Sequence, residues 1–214
     1  MSDRSARATR TRKRTRIQVV NEEKILEAAL AVFARYGFKG AAIDQIAAAA
    51  GMSKPNLLYY FRSKKALYIA VLRRTLEMWL QPLEAIAAED DPEAEIRAYI
   101  ARKVAFSRTH AVESRLFAME IIQGAPILKE ILETRLRDLV DDKVRVIEAW
   151  VAAGKIAPVD PHHLIFTLWA STQHYADFDA QIRALLGAGA DDFLLTADSA
   201  LSDLLLKGLL PRRS

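Results

Sequence analysis

The stretch Ala47-Ala48-Ala49-Ala50-Gly51-Met52-Ser53-Lys54-Pro55-Asn56-Leu57-Leu58-Tyr59-Tyr60-Phe61 decides how the rest of the chain is read. Four alanines favour a helix and leave its surface small enough for another helix to pack close. Gly51 supplies the backbone freedom to change direction. Ser53 offers a capping oxygen, and Pro55 falls in the first turn of the next helix, where its missing N–H costs nothing. The spacing predicts a helix through Ile43, Ile46, Ala47 and Ala50, a tight turn, and a third helix from Lys54 to Phe61. Leu57 and Phe61 point inward in that helix, so Lys54, Asn56, Tyr59 and Tyr60 face out. Two short helices joined in this way form a helix-turn-helix, whose second helix can enter a DNA major groove. The same pattern fits a plain αα-corner in a helical bundle, and charge separates the two readings.

Of 214 residues, 31 are Lys or Arg and 27 are Asp or Glu, a net charge of +4. The surplus is local. Residues 1–16 hold seven cations (Arg4, Arg7, Arg10, Arg12, Lys13, Arg14 and Arg16) against Asp3. Up to Leu67 there are 14 cations and five anions, or +9, and the remainder carries −5. One end of the chain therefore suits a polyanion. This organisation predicts a disordered basic arm over 1–20, a helix-turn-helix domain over 21–67, and a helical domain for ligand binding and dimerisation over 68–214. With 51% apolar residues but only eight Gly and seven Pro, the fold class expected is all-α, with about nine helices. The absence of Cys excludes disulfide-stapled scaffolds and Cys-ligated zinc or iron–sulfur sites. The longest uncharged run, Pro161 to Ala176, is shorter than the roughly 20 residues a membrane helix needs. The basic N-terminus lacks the apolar segment of a signal peptide, so a cytoplasmic location is expected.

Helical periodicity extends to either side of the helix-turn-helix. Upstream, Ile25, Ala28, Ala29, Val32, Phe33 and Tyr36 predict a helix from Asn21 to a stop at Gly37. Downstream, Ser63 can cap a fourth helix running through Leu67 and Val71 to Trp79 or beyond. Asp91-Pro92 and Asp160-Pro161 open further helices. A long helix is expected between Ile127 and Ala153, and a last one from Asp191 to about Gly208. Leu194, Leu195, Leu201, Leu204 and Leu205 form apolar stripes that suit either a symmetry mate or the subunit's own core.

Ala47 to Lys54, followed by Leu57-Leu58-Tyr59-Tyr60-Phe61-Arg62-Ser63-Lys64-Lys65-Ala66-Leu67, resembles the N-terminal domain of the TetR family of one-component repressors. The resemblance implies a two-fold symmetric homodimer on a double-stranded DNA operator. Lys54, Pro55, Asn56, Tyr59 and Tyr60 are the expected reading residues. Lys64, at the start of the fourth helix, suits a phosphate. Two departures bear on those contacts. Ala41 and Ala42 stand where many members carry a capping Thr, and Leu58 replaces a common Tyr.

Ser114 to Glu120, Gly124-Ala125-Pro126 and Trp169 to Phe178 resemble a uracil-responsive branch of that family. That likeness implies that Trp79, Trp169 and Gln173 line an effector site for uracil or a related pyrimidine, with Phe106, Phe166 and Tyr175 as lesser candidates. The chemistry suits a flat ligand. Trp169 and Gln173 share a helix face, indole can stack on a pyrimidine, and a Gln amide matches an N–H beside a C=O. A sensor of another planar or apolar ligand, or a constitutive DNA binder, fits the same residues. Ser171, His174 and Asp177 drift round their helix and present no oxyanion hole, so no enzyme is expected. His162 and His163 lack partner ligands at metal spacing, and neither a metal nor a cofactor is expected.

Overall fold

In a computed structural model of the protein, residues 16–211 are described. Residues 1–15, most of the expected basic arm, lie outside them. The described residues form an all-α structure whose helices start where the sequence supplies caps. The Ser53 hydroxyl accepts from the Asn56 N–H at 3.3 Å, and Ser63 accepts from Ala66 at 3.1 Å. Asp91 accepts from Ala94 at 3.1 Å, and Asp160 accepts from His163 at 3.0 Å.

The N-terminal part comprises α1 (Arg16–Gly40), α2 (Ile43–Ala49), α3 (Lys54–Tyr60) and the start of α4 (Lys64–Glu84). Ile25, Ala29, Phe33, Ile46, Leu57 and Leu67 are sealed in its core. Phe33 meets Tyr68 of α4 edge-on at 4.9 Å, and Phe38 lies 4.9 Å from the same ring. Gly37 breaks α1 where expected, at φ +67°, a region that side chains with a Cβ rarely adopt. The start of α1 differs from expectation. Residues 16–20 are already helical, and Asn21 caps nothing. Its side-chain N–H instead donates to the Tyr60 hydroxyl at 3.0 Å, a long-range use that local spacing cannot reveal.

The body comprises α5 (Pro92–Thr109), α6 (Ala111–Ile122), α7 (Lys129–Ile131), α8 (Arg137–Ala152), α9 (Pro161–Asp177), α10 (Asp179–Leu186), α11 (Ala190–Leu195) and α12 (Ala197–Leu209). Helix α5 is central and packs on α9 and α12, while α6 lies between α9, α4 and α1. Helix α4 runs beyond Trp79 as expected, through a buried Pro82 in its last turn. Two later segments depart from the expected pattern. The long helix after Ile127 is interrupted by a π-turn, Leu132–Leu136. The last helix breaks at Thr196, whose hydroxyl donates to the Phe193 carbonyl.

The loop after α4 is held by buried donors. Lys143 Nζ gives hydrogen bonds to the carbonyls of Glu84 (3.1 Å) and Ile86 (2.8 Å), and Trp150 Nε1 donates to that of Ala88 at 3.1 Å. No described helix is long and apolar enough to cross a membrane. Phe33 is fully buried at the junction of α1 and α4. Phe33→Ala should cost about 3–5 kcal/mol, read as a lower midpoint in urea denaturation with a loss of helical signal.

Candidate functional site

The candidate reading surface is built on the turn at Gly51, which has φ +66°. Lys54, Pro55 and Asn56 are exposed in the first turn of α3, while Leu57 anchors it. Tyr59 is 70% exposed and stands perpendicular to Tyr60 at 5.3 Å. Tyr60 is half-buried, its hydroxyl held by Asn21. The Lys54 ammonium is paired with Asp44 of α2 at 2.9 Å, both side chains being largely exposed. Lys64 has a different role from a free phosphate-seeking cation. Its Nζ donates to the carbonyls of Ala41 (2.8 Å) and Lys39 (3.3 Å) and lies 4.9 Å over the Phe38 ring. Two of its three N–H groups thus brace the α1–α2 junction, and one is left for a phosphate. At the head of α2, Ala42 has no oxygen to cap with. Its own backbone N–H is taken up by Gln45 Oε1 at 2.9 Å.

Some 30 residues further along, α4 forms a wall of a cavity of about 390 Å³. The size falls within the roughly 300–1,000 Å³ usual for small-ligand sites. Trp79 from α4, Lys103 from α5, Phe117 from α6, and Trp169, Gln173 and Asp177 from α9 all line it. Leu132 and Leu136, at the two ends of the π-turn, close another side. Trp79 is 6% exposed and meets Phe117 edge-on at 5.2 Å. Trp169 donates its indole N–H to the Tyr99 hydroxyl at 2.8 Å, which leaves the ring itself for a ligand. The Gln173 amide makes no hydrogen bond among the described residues, so its donor and acceptor are open to the cavity.

The structure thus gathers Trp79, Trp169 and Gln173 and leaves out the three lesser candidates. Phe106 turns to His110, 5.8 Å away. Phe166 is 52% exposed and packs on the outer side of Trp169, one turn from the cavity. Tyr175 lines a separate cleft with Arg108 and Arg183. All three are helical neighbours of cavity residues that the rotation of the helix carries to other faces.

Lys103 and Asp177 were not anticipated in this role. A lysine in the apolar run Tyr99, Ile100, Lys103, Val104 was the available signal for the first. Lys103 is 3% exposed, and its ammonium sits 4.6 Å over the Trp79 ring. Burial pushes its pKa down to about 8, an effect only partly offset by the Asp177 charge. Burial likewise raises the pKa of Asp177, against the bond from the Ser114 hydroxyl and the charges of Lys103, Arg115 and His174. Ser171, His174 and Asp177 form no catalytic array. Ser171 donates to the Thr167 carbonyl at 2.8 Å, and His174 stacks on Phe178 at 4.9 Å.

Two family models match adjoining parts of the chain. A model of bacterial regulatory proteins of the tetR family matches residues 25–71, and one of the C-terminal region of YcdC-like proteins matches residues 72–212. The chain belongs to the TetR family. It is 48% identical over 204 residues to the HTH-type transcriptional regulator RutR of Escherichia coli K12, covering 94% of this chain and 96% of that one. The RutR of Shigella flexneri gives the same identity and coverage. Among solved structures, the transcriptional regulator SCO4942 of Streptomyces coelicolor superposes with a TM-score of 0.72 at 23% identity, covering 90% of this chain and 99% of that one. AibR in complex with isovaleryl coenzyme A and operator DNA superposes with a TM-score of 0.58 at 21% identity, covering 73% of this chain and 85% of that one. These two share the fold.

As a TetR-family member the protein is a DNA-binding transcriptional regulator and not an enzyme. The two family models meet at residues 71 and 72, inside α4, so one continuous helix serves both halves.

The buried ammonium of Lys103 predicts a pH dependence of a definite sign. Between pH 8 and 10.5 the unfolded chain holds a proton that the native state releases, so native stability rises with pH across that window. At the lower end Lys103→Met should be more stable than the wild type by about 3 kcal/mol, and the gap should close toward the upper end. Urea denaturation of both proteins across the window checks this.

Proposed function

We propose that the protein is a homodimeric repressor that leaves its operator when uracil or a related pyrimidine binds the cavity beside Trp79. The observation that supports this reading is the convergence of Trp79, Trp169 and Gln173 on one cavity, with an unbonded Gln amide among them. These are the residues that the likeness to a uracil-responsive branch singles out. A planar ring can lie against indole while its N–H and C=O pair with the Gln173 amide. The 48% identity to RutR over 94% of the chain adds to this support.

Lys54, Pro55, Asn56 and Tyr59 are exposed at the start and on the outer face of α3 and would meet base edges or phosphates. Tyr60 would be placed by Asn21, and Lys64 would offer its remaining N–H to phosphate. Homodimerisation would use the apolar residues left exposed near the end of the chain, among them Phe178, Phe193, Leu195 and Leu204. Of the expected stripe, Leu194 is buried in the subunit, so only part of it is available to a partner. The two heads then address half-sites about 34–36 Å apart or a multiple of that. A ligand at Trp79 acts on α4, which carries the head at its other end, and so changes that spacing. The coupling is reciprocal and, at an ordinary size of about 1–3 kcal/mol, makes DNA weaken the ligand as much as the ligand weakens DNA.

Calorimetric titration of the purified protein should show saturable uracil binding that is lost in Gln173→Ala. No heat and no melting shift with uracil would refute the effector assignment. On an operator selected from random duplexes, Tyr59→Ala should lower affinity by about 1–3 kcal/mol, and Lys54→Ala should reduce the salt slope by about one. Operator affinity indifferent to saturating uracil would refute the repressor mechanism.

A further inference from the structure

Lys103 is the one cavity residue whose burial the fold alone does not explain. The other lysines that are buried or stand at the reading helix are matched. Lys143 has two carbonyls and Asp142, Lys64 has two carbonyls, and Lys54 has Asp44. Lys103 is 3% exposed, and its ammonium donates no hydrogen bond among the described residues; it lies over the face of Trp79 and feels the Asp177 charge without bonding to it. Its Nζ is not sealed off but keeps an opening to the cavity that Lys103 lines. A lysine so deeply set, with no acceptor from the chain itself, is costly unless something in the cavity supplies one.

Helix α9 supplies the complement. Trp169, Gln173 and Asp177 are spaced four apart and form one stripe along the cavity, in the order flat ring, amide, carboxylate. The Ser114 hydroxyl occupies Oδ1 of Asp177, which leaves Oδ2 to accept. We propose that Lys103 and Asp177 form a charge-balanced clamp that selects a neutral lactam or imide as effector and rejects carboxylated relatives of the same ring. The inference rests on the reading of this cavity as the effector site. Lys103 donates to a ring C=O, Asp177 accepts from a ring N–H, and Gln173 takes a further C=O and N–H pair. Two opposite charges at one site leave no net charge for an anionic ligand to neutralise, and Asp177 repels a carboxylate directly. An acyl chain would bury all three polar groups unpaired.

The test uses the full chain, thermal-shift assays and calorimetry, with uracil, uracil-6-carboxylate and a panel of neutral cyclic lactams as probes. The wild type should be stabilised by uracil and not by the 6-carboxylate. Lys103→Met should keep or raise the melting temperature of the free protein while weakening uracil by roughly tenfold or more. Asp177→Asn should narrow the gap between uracil and the 6-carboxylate by a similar factor. Undiminished uracil binding in Lys103→Met, or a fall in its melting temperature at neutral pH, overturns the clamp, the latter by showing that the ammonium is structural. Preference of the wild type for the carboxylate also overturns it. If uracil fails but another neutral lactam binds with the same dependence on Lys103 and Asp177, the pyrimidine assignment falls and the clamp stands. If no neutral lactam binds, both fall.

Discussion

A buried carboxylate fixes how the two halves of this protein, already joined by α4, are set against each other. Glu120 of α6 is 3% exposed and accepts from the Tyr68 hydroxyl at 3.2 Å and from the backbone N–H groups of Ile127 (2.7 Å) and Leu128 (3.3 Å). Tyr68 belongs to α4, and its ring closes the core of the DNA-binding head against Phe33 and Phe38. Ile127 and Leu128 follow the Gly124-Ala125-Pro126 turn and lead into the helices that cover the cavity. A charge so deep is tolerable only when its oxygens are fully engaged, so the position of α6 is specified to within hydrogen-bond distance of both neighbours. Burial and the Glu120 charge together hold the Tyr68 hydroxyl well above the usual tyrosine range, which keeps it a donor.

That constraint gives α6 two faces with different duties. One turns Phe117, Ala118, Ile121 and Ile122 to the cavity, and the other carries Glu120 to the head. Helix α4 is shared in the same way, with Ser63 and Lys64 at its head end and Leu76, Trp79 and Leu80 in the cavity wall. The cavity and the helix-turn-helix are therefore joined by two packed elements rather than by a linker. Close-packed interfaces shift between discrete arrangements, which suits a switch.

Much of the fold was legible in the sequence because its signals are local. Ser53, Ser63, Asp91 and Asp160 cap helices within three residues of themselves, Gly37 and Gly51 mark backbone that needs positive φ, and Leu57 falls inward by simple periodicity. Trp79, Trp169 and Gln173 were legible through family likeness and do converge. Phe106, Phe166 and Tyr175 were misplaced because a shift of one or two positions along a helix moves a side chain to another face, which aromatic character does not reveal. The start of α1 was misplaced because Asn21, a natural cap, is engaged by Tyr60 across 39 residues.

The sequence by itself determined an all-α chain, a basic N-terminal end, a helix-turn-helix and membership of a regulator family, since composition, caps and periodicity act over a few residues. Only the tertiary structure decided what each lysine does and which carboxylate faces it. Lys54, Lys64, Lys103 and Lys143 are the same side chain, and whether the ammonium meets a carboxylate, a carbonyl or an open cavity depends on partners distant in sequence, such as Glu84 for Lys143 and Asp177 for Lys103. The energy of a charge is set by its surroundings, and those exist only once the helices have packed.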